Sequence, residues 1–193
     1  MKHSLPGDIE RTSLAIIARE LAARGIEIPP EHQAVVHRVI HATADFDYAA
    51  SLRFTPGAAA RGAAALAAGG TIVTDTNMAL AGVSKPALAR LGGAAFCYMA
   101  DPAVAAAAKA AGTTRAVAAM GHAAAAHPGA VFAVGNAPTA LFALCDAMER
   151  GDFRPALVIG VPVRFPEQIK NAHRSDPVWK RYSYNEEFDP GSG

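Results

Sequence analysis

The sequence predicts an α/β protein: a mostly parallel sheet flanked by helices in a single domain, with a helical segment at the N-terminus. Three observations predict it. Four short apolar runs have strand character: "TIVTD" (71–75), "AAFCYM" (94–99), "VFAVGN" (131–136) and "ALVIGVP" (156–162). Each is followed by a helix-like segment, and such alternation implies right-handed crossovers and a sheet covered on both faces. The composition agrees. It is 51% hydrophobic but only 7% aromatic, with much of the apolar content alanine, which suits closely packed helices and not a disordered chain. A length of 193 residues suits one domain that buries a continuous core without disulfides or metal.

Taken in order, residues 8–24 carry Leu14, Ile17 and Leu21 at helical spacing, with Gly25 placed to stop the helix and Pro29-Pro30 beyond it. A second helix should start near Pro30 and include His37, Arg38 and His41. The stretch "FTPGAAARGAAALAAGG" reads as a helix closed by Gly69-Gly70. The four strands and their helices follow, and ligands in such sheets sit beyond the carboxyl ends of the strands. Those places are "TDTNMA", "MADPAV", "GNAPTA" and "GVPVRFPE". In "VGNAPTALFAL" a buried strand runs into Gly135 and Asn136, and Pro138 suits the first residue of a new helix. Free backbone N–H groups there would face a carboxylate or phosphate, unless the segment is an ordinary strand-to-helix turn. No internal repeat is visible, and the only low-complexity character is the alanine bias.

Several function classes lose support. The net charge is +1 and no basic stripe with interleaved aromatics occurs, so nucleic acid is not an expected partner. No Gly-x-Gly-x-x-Gly follows a strand and no Gly-x-x-x-x-Gly-Lys-Ser/Thr loop occurs, which sets aside dinucleotides and nucleoside triphosphates. Cys97 and Cys145 fall in apolar runs and read as buried small hydrophobes in a reducing compartment. The start "MKHSLPGDIERTS" lacks the apolar core of a signal peptide, so the expected location is the cytoplasm. The most apolar stretch, "AVAAAAKAAG", is interrupted by Lys109 and falls far short of the ~20 apolar residues of a membrane span.

The candidate chemistry lies in "VVHRVIHATADFD" (35–47). His37 and His41 stand four apart, as in the zinc-binding pattern His-Glu-x-x-His, but Arg38 holds the place of the glutamate. Arg38 and His41, three apart, also share a helix face. Three uses stay open on spacing alone: a structural or surface helix, acid/base work beside an anionic substrate, and metal binding. A guanidinium has no use beside a cation, whereas its fork grips carboxylates and a histidine near neutrality gives and takes protons. Asp45, just past the helix, is a candidate to orient the His41 ring.

With these residues in hand, the chain resembles the precorrin-8X methylmutase (precorrin isomerase) family, including its cobalt-precorrin-8 forms. The likeness is collinear over about residues 8–163. It runs through "IERTSLAII", "RVIHATADFDYA", "GGTIVTDTNMALAGVSK", "CYMADPAVAAAAKAAGTTRA", "VGNAPTALFALCDAM" and "PALVIGVPV". The resemblance implies an α/β homodimer of corrin biosynthesis that moves a methyl group from ring carbon 11 to carbon 12 of a tetrapyrrole, giving hydrogenobyrinate or its cobalt counterpart. It implies no cofactor and no protein-bound metal. Both the methyl group and its destination belong to the substrate, so the enzyme supplies positioning and a change in the ring's electronics. The family's acid/base histidine falls on His41, and its substrate-contacting serine and arginine fall on Ser13 and Arg38. His37 has no counterpart role, so the resemblance makes the metal spacing accidental. Other positions expected to line the macrocycle pocket are Thr74, Asp75, Thr76, Met78, Gly82, Ser84, Thr114, Arg115, Gly135, Asn136 and Thr139.

After "GVPV" the chain departs from the family pattern, which continues with a glycine, an "AAESK"-like helix and a "GRKGGS"-like stretch. Here residues 164–193 read "RFPEQIKNAHRSDPVWKRYSYNEEFDPGSG". A truncated chain, a working enzyme with a remodelled C-terminus, and a corrinoid-binding paralogue (carrier or sensor) without turnover all fit that departure. The sequence also leaves open whether the substrate contains cobalt.

Overall fold

A computed structural model describes residues 6–161, so the divergent segment from residue 164 onward lies outside the described residues. The described chain falls into two compact units, one ending at Ala59 and the other starting at Ala60.

The first unit is helical: α1 (Pro6–Ala23), α2 (Pro30–Thr43) and the single turn α3 (Tyr48–Ser51). The chain leaves α1 through Gly25, whose φ of 68° is the left-handed conformation that the sequence assigned to a helix stop. Ile17 and Leu21 of α1 and Val36 and Ile40 of α2 form its core, with Leu14, Phe46, Leu52 and Phe54 packed around it. Helix α2 starts at the expected proline. It ends where Ala44 turns to a φ of 57° and donates its N–H to the Ile40 carbonyl at 2.8 Å. A side-chain-bearing residue in that conformation costs on the order of 1 kcal/mol, and the packing beyond it offsets the cost: the Arg24 guanidinium lies 4.1 Å from the centre of the Phe46 ring.

The second unit confirms the α/β expectation. Helix α4 (Ala58–Ala67) leads into β1 (Ile72–Thr74), followed by α5 (Asn77–Gly82), α6 (Lys85–Arg90) and β2 (Ala95–Phe96). Then come α7 (Pro102–Ala110), α8 (Arg115–Ala126), β3 (Val131–Val134), α9 (Pro138–Glu149) and β4 (Leu157–Gly160). The strands form one parallel sheet in the order β2-β1-β3-β4. Each strand is shorter than its apolar run, because the last residues of the run leave the ladder and enter the loop beyond it. That loss is largest in "AAFCYM", where only Ala95 and Phe96 pair.

Register sorts the side chains. Val73 lies abreast of Phe96 and Phe132, and Phe132 abreast of Val158, so these four share one face. Val73 and Phe132 are fully buried there, among Val104 of α7, Met120 of α8 and Leu144 of α9. Ala119, Ala123 and Ala140 are completely covered, which shows what the alanine bias achieves: helices close on the sheet and on each other. Leu157 alternates to the opposite face and meets α4, where a Cβ on Gly62 would lie 2.7 Å from its Cδ2. Helical cover therefore reaches both faces. Among the described residues no helix is long and apolar enough to cross a membrane.

The buried row sets the stability of this unit. Phe132 is fully buried and meets Phe153 edge-on at 5.0 Å between ring centres. Phe132→Ala is expected to cost about 3–5 kcal/mol in urea unfolding. Ile159→Ala, at a side chain 45% exposed, should change stability by no more than about 0.5 kcal/mol.

Candidate active site

Two groups of candidate residues take shape, each within its own compact unit. In the first, α1 and α2 are joined by two polar contacts. Ser13 Oγ and His41 Nδ1 lie 2.7 Å apart, and Arg38 Nη2 donates to Glu10 Oε1. Glu10 precedes Ser13 by one helical turn, and Arg38 precedes His41 by one turn, so each helix offers both its residues on one face. Ser13 and His41 are half-buried; Arg38 is exposed. The serine matters for the ring's protonation. A carboxylate at Nδ1 only accepts and would fix one tautomer, whereas a hydroxyl donates to a bare Nδ1 or accepts from a protonated one. Nε2 is left with no protein partner among the described residues, available to give a proton or take one.

The structure corrects the expectation for Asp45. Its Oδ1 accepts the Asp47 N–H at 2.9 Å and its own N–H donates to Thr43 Oγ1 at 3.2 Å, so it shapes the turn after α2 and does not hold the His41 ring. An aspartate just past a helix is well suited to such a local turn. His37 is half-buried, and no group of three His, Cys, Asp or Glu residues that could hold a metal ion occurs among the described residues.

In the second unit the chain passes from β1 to β2 on one side, then crosses to β3 on the other side of β1. The loops after β1 and β3 consequently part company, which makes this the switch point where open α/β sheets hold ligands. The structure corrects a second expectation here. The backbone N–H groups at the start of α9 do meet a carboxylate, but it is internal. Asp75 Oδ1 accepts from Gly135 at 2.9 Å, and Asp75 Oδ2 accepts from Asn136 at 2.8 Å and Ala137 at 2.9 Å. Asp75 is only 1% exposed, and a carboxylate so covered needs donors, which the turn leading into α9 supplies up to its N-cap, Ala137. Asn136 keeps an exposed side chain; its N–H is committed.

The neighbouring threonines are also partly committed. Thr74 Oγ1 donates to the Thr76 carbonyl at 3.0 Å, and Thr76 Oγ1 caps α5 by accepting from Ala79 at 3.1 Å. Thr114 caps α8 in the same way through Val117 at 3.2 Å, and Arg115 makes a long contact of 3.4 Å to the Met99 carbonyl. Ser84 precedes α6 without a capping bond, and it, Gly82 and Met78 are exposed, Met78 at 81%. Thr139 lines a groove of about 350 Å³ between α8 and α9, whose other walls are mainly apolar: Val117, Met120, Phe142 and Ala143.

Sequence reasoning missed two features. It placed Asp75 in the pocket lining, where the structure makes it the brace of the switch point. It did not single out Glu10. The i, i+3 spacing of Glu10 and Ser13 was legible, but the link to Arg38 is a contact between helices 28 residues apart.

The comparisons agree with one another. A family model described as CbiC, precorrin-8X methylmutase, matches residues 8–176. A cobalt-precorrin-8 methylmutase of Priestia megaterium is 38% identical over 177 residues, which is 92% of this chain and 76% of that one. A precorrin-8X methylmutase of Pseudomonas aeruginosa is 42% identical over 160 residues, covering 81% of this chain and 74% of the relative. A crystal structure of the precorrin-8x methyl mutase from Thermus thermophilus superposes with a TM-score of 0.76 at 40% identity, covering 88% of this chain and 82% of the other.

Because three N–H donors depend on one buried carboxylate, Asp75→Ala is expected to cost about 3–5 kcal/mol in chemical denaturation. Asp75→Asn keeps one acceptor oxygen and should cost about half as much. Losses below about 1 kcal/mol for both variants would mean that the strand-to-helix turn holds without the brace.

Proposed function

Because the chain belongs to the precorrin-8X methylmutase family, and is thus an isomerase of cobalamin biosynthesis with a tetrapyrrole substrate, we propose that His41 lends a proton to the macrocycle and takes it back. The observation that carries this reading is the 2.7 Å contact between Ser13 Oγ and His41 Nδ1. It leaves Nε2 as the working nitrogen, and the serine hydroxyl follows the ring through both protonation states by rotating. A proton placed on a ring nitrogen of the substrate draws electron density from carbon 11. The bond from that carbon to the methyl group breaks as the bond to carbon 12 forms, and the proton then returns to the imidazole. No electrons are gained or lost, so the step calls for no cofactor and no metal held by the protein.

Arg38, exposed on the turn before His41, is the group for one of the substrate's acidic side chains in this reading. From the second unit, Thr76, Ser84, Arg115, Gly135, Asn136 and Thr139 remain proposed substrate contacts, with Asn136 acting through its side chain and Met78 offering apolar surface to the flat ring. The homodimer, the cytoplasmic location and the lack of a nucleic-acid partner belong to the same reading.

Turnover of precorrin-8X, followed by visible absorption, tests the assignments. His41→Ala is expected to lower kcat by about 10²–10⁴-fold, with hydrogenobyrinate still bound within a few-fold of wild type. Ser13→Ala should lower kcat less, by about tenfold. An undiminished rate in His41→Ala removes the histidine from the chemistry. Tight corrin binding without turnover by the intact chain would favour a carrier or sensor descended from the enzyme.

A further inference from the structure

We propose that Glu10 is a positioning residue for substrate binding: it holds the Arg38 guanidinium by one end and presents the remaining edge to a carboxylate of the tetrapyrrole. The proposal rests on the reading of Arg38 as a substrate-binding group and goes beyond it by naming what aims that group.

The contact has a specific form. Glu10 uses one oxygen, Oε1, and Arg38 uses one nitrogen, Nη2. Nε and Nη1 have no other partner among the described residues. An arginine grips a carboxylate best with two parallel N–H groups, from Nε and Nη2 or from Nη1 and Nη2; Nη2 carries two N–H groups, so a partner that takes one of them leaves the other, with its neighbour, as one two-donor edge. A partner that spanned the fork would instead have to be displaced.

Exposure decides which effect of Glu10 dominates. The two side chains are 56% and 42% exposed, so water and salt screen their charges. Repulsion between the Glu10 carboxylate and an arriving substrate carboxylate is screened in the same way. Restraint of the long arginine is not. A free Arg38 loses side-chain freedom on meeting the substrate, whereas one already held loses less. Glu10 is also anchored well, because the next turn of the same helix carries Ser13, in contact with His41. The arginine is thereby fixed one turn from the proton-transfer group, so the carboxylate it grips sets where the ring lies relative to His41.

The test is a double-mutant cycle in the full chain with precorrin-8X as substrate, reading KM and kcat separately and the thermal midpoint alongside. Glu10→Ala is expected to raise KM about tenfold with kcat within about twofold of wild type. The midpoint should move by no more than about 2 °C, because an exposed ion pair contributes little to stability. Glu10→Gln keeps an acceptor oxygen and should recover most of the lost affinity. In the Arg38→Ala background, Glu10→Ala should change KM by less than twofold, since it then has nothing to position.

An unchanged or lowered KM in Glu10→Ala, with KM raised in Arg38→Ala, overturns the proposal and leaves the role of Arg38 intact. Full additivity of the two substitutions also overturns it, by showing that Glu10 acts elsewhere. An unchanged KM in Arg38→Ala sinks the reading of Arg38, and the proposal with it.

Discussion

The second unit depends on a buried carboxylate that ties together the loops leaving two paired strands, β1 and β3, just beyond the last rungs of their ladder. The sheet order sends the chain away from β1 on both sides, which opens a crevice at the carboxyl ends of β1 and β3. Asp75 closes its floor by accepting from three successive residues of the turn into α9. The turn into α9 gains an acceptor for three N–H groups, and the aspartate gains the bonds that make its burial tolerable. Each side of the contact removes the other's largest unfavourable term. With those three backbone donors committed to Asp75, Asn136 is left to meet a ligand there with its exposed side chain.

The first unit works on a different principle. Its polar residues come from the outer turns of two helices whose apolar sides bury Ile17, Leu21, Val36 and Ile40. The apolar seam sets which turns of α1 and α2 face each other, and the contacts of Glu10 with Arg38 and Ser13 with His41 follow from that register. A side chain on a packed helix turn is better fixed than one on a loop, which suits the proton transfer proposed for His41.

Much of this was legible in the sequence, and the reasons differ by feature. Strands β1, β3 and β4 were visible because buried parallel strands are continuous apolar runs bounded by glycine, asparagine and proline. Helix α2 was visible from its starting proline. The place of His41 and Ser13 came from the resemblance, and spacing alone left metal binding open for the same turn. What sequence could not supply was partnership. Asp75 meets residues 60–62 positions away, and Glu10 meets Arg38 28 positions away, through packing that no local pattern encodes. Asp45 was misjudged for the opposite reason, since proximity in sequence suggested His41 while the local turn offered the aspartate a nearer backbone donor.

The fully covered alanines of α8 and α9 bear on how this scaffold tolerates change. Ala119, Ala123 and Ala140 have the smallest side chain that still carries a Cβ, yet none retains any accessible surface. Their neighbourhood has no slack, so even valine there would have to push a helix off the sheet or force a strained rotamer. Variation compatible with the fold is thereby channelled into the loops outside that layer, where Asn136 after β3, Ser84 between α5 and α6, and Thr114 between α7 and α8 are exposed. A redesign of ligand preference would have its freedom in those loops, over a helical layer made rigid by its plainest residues.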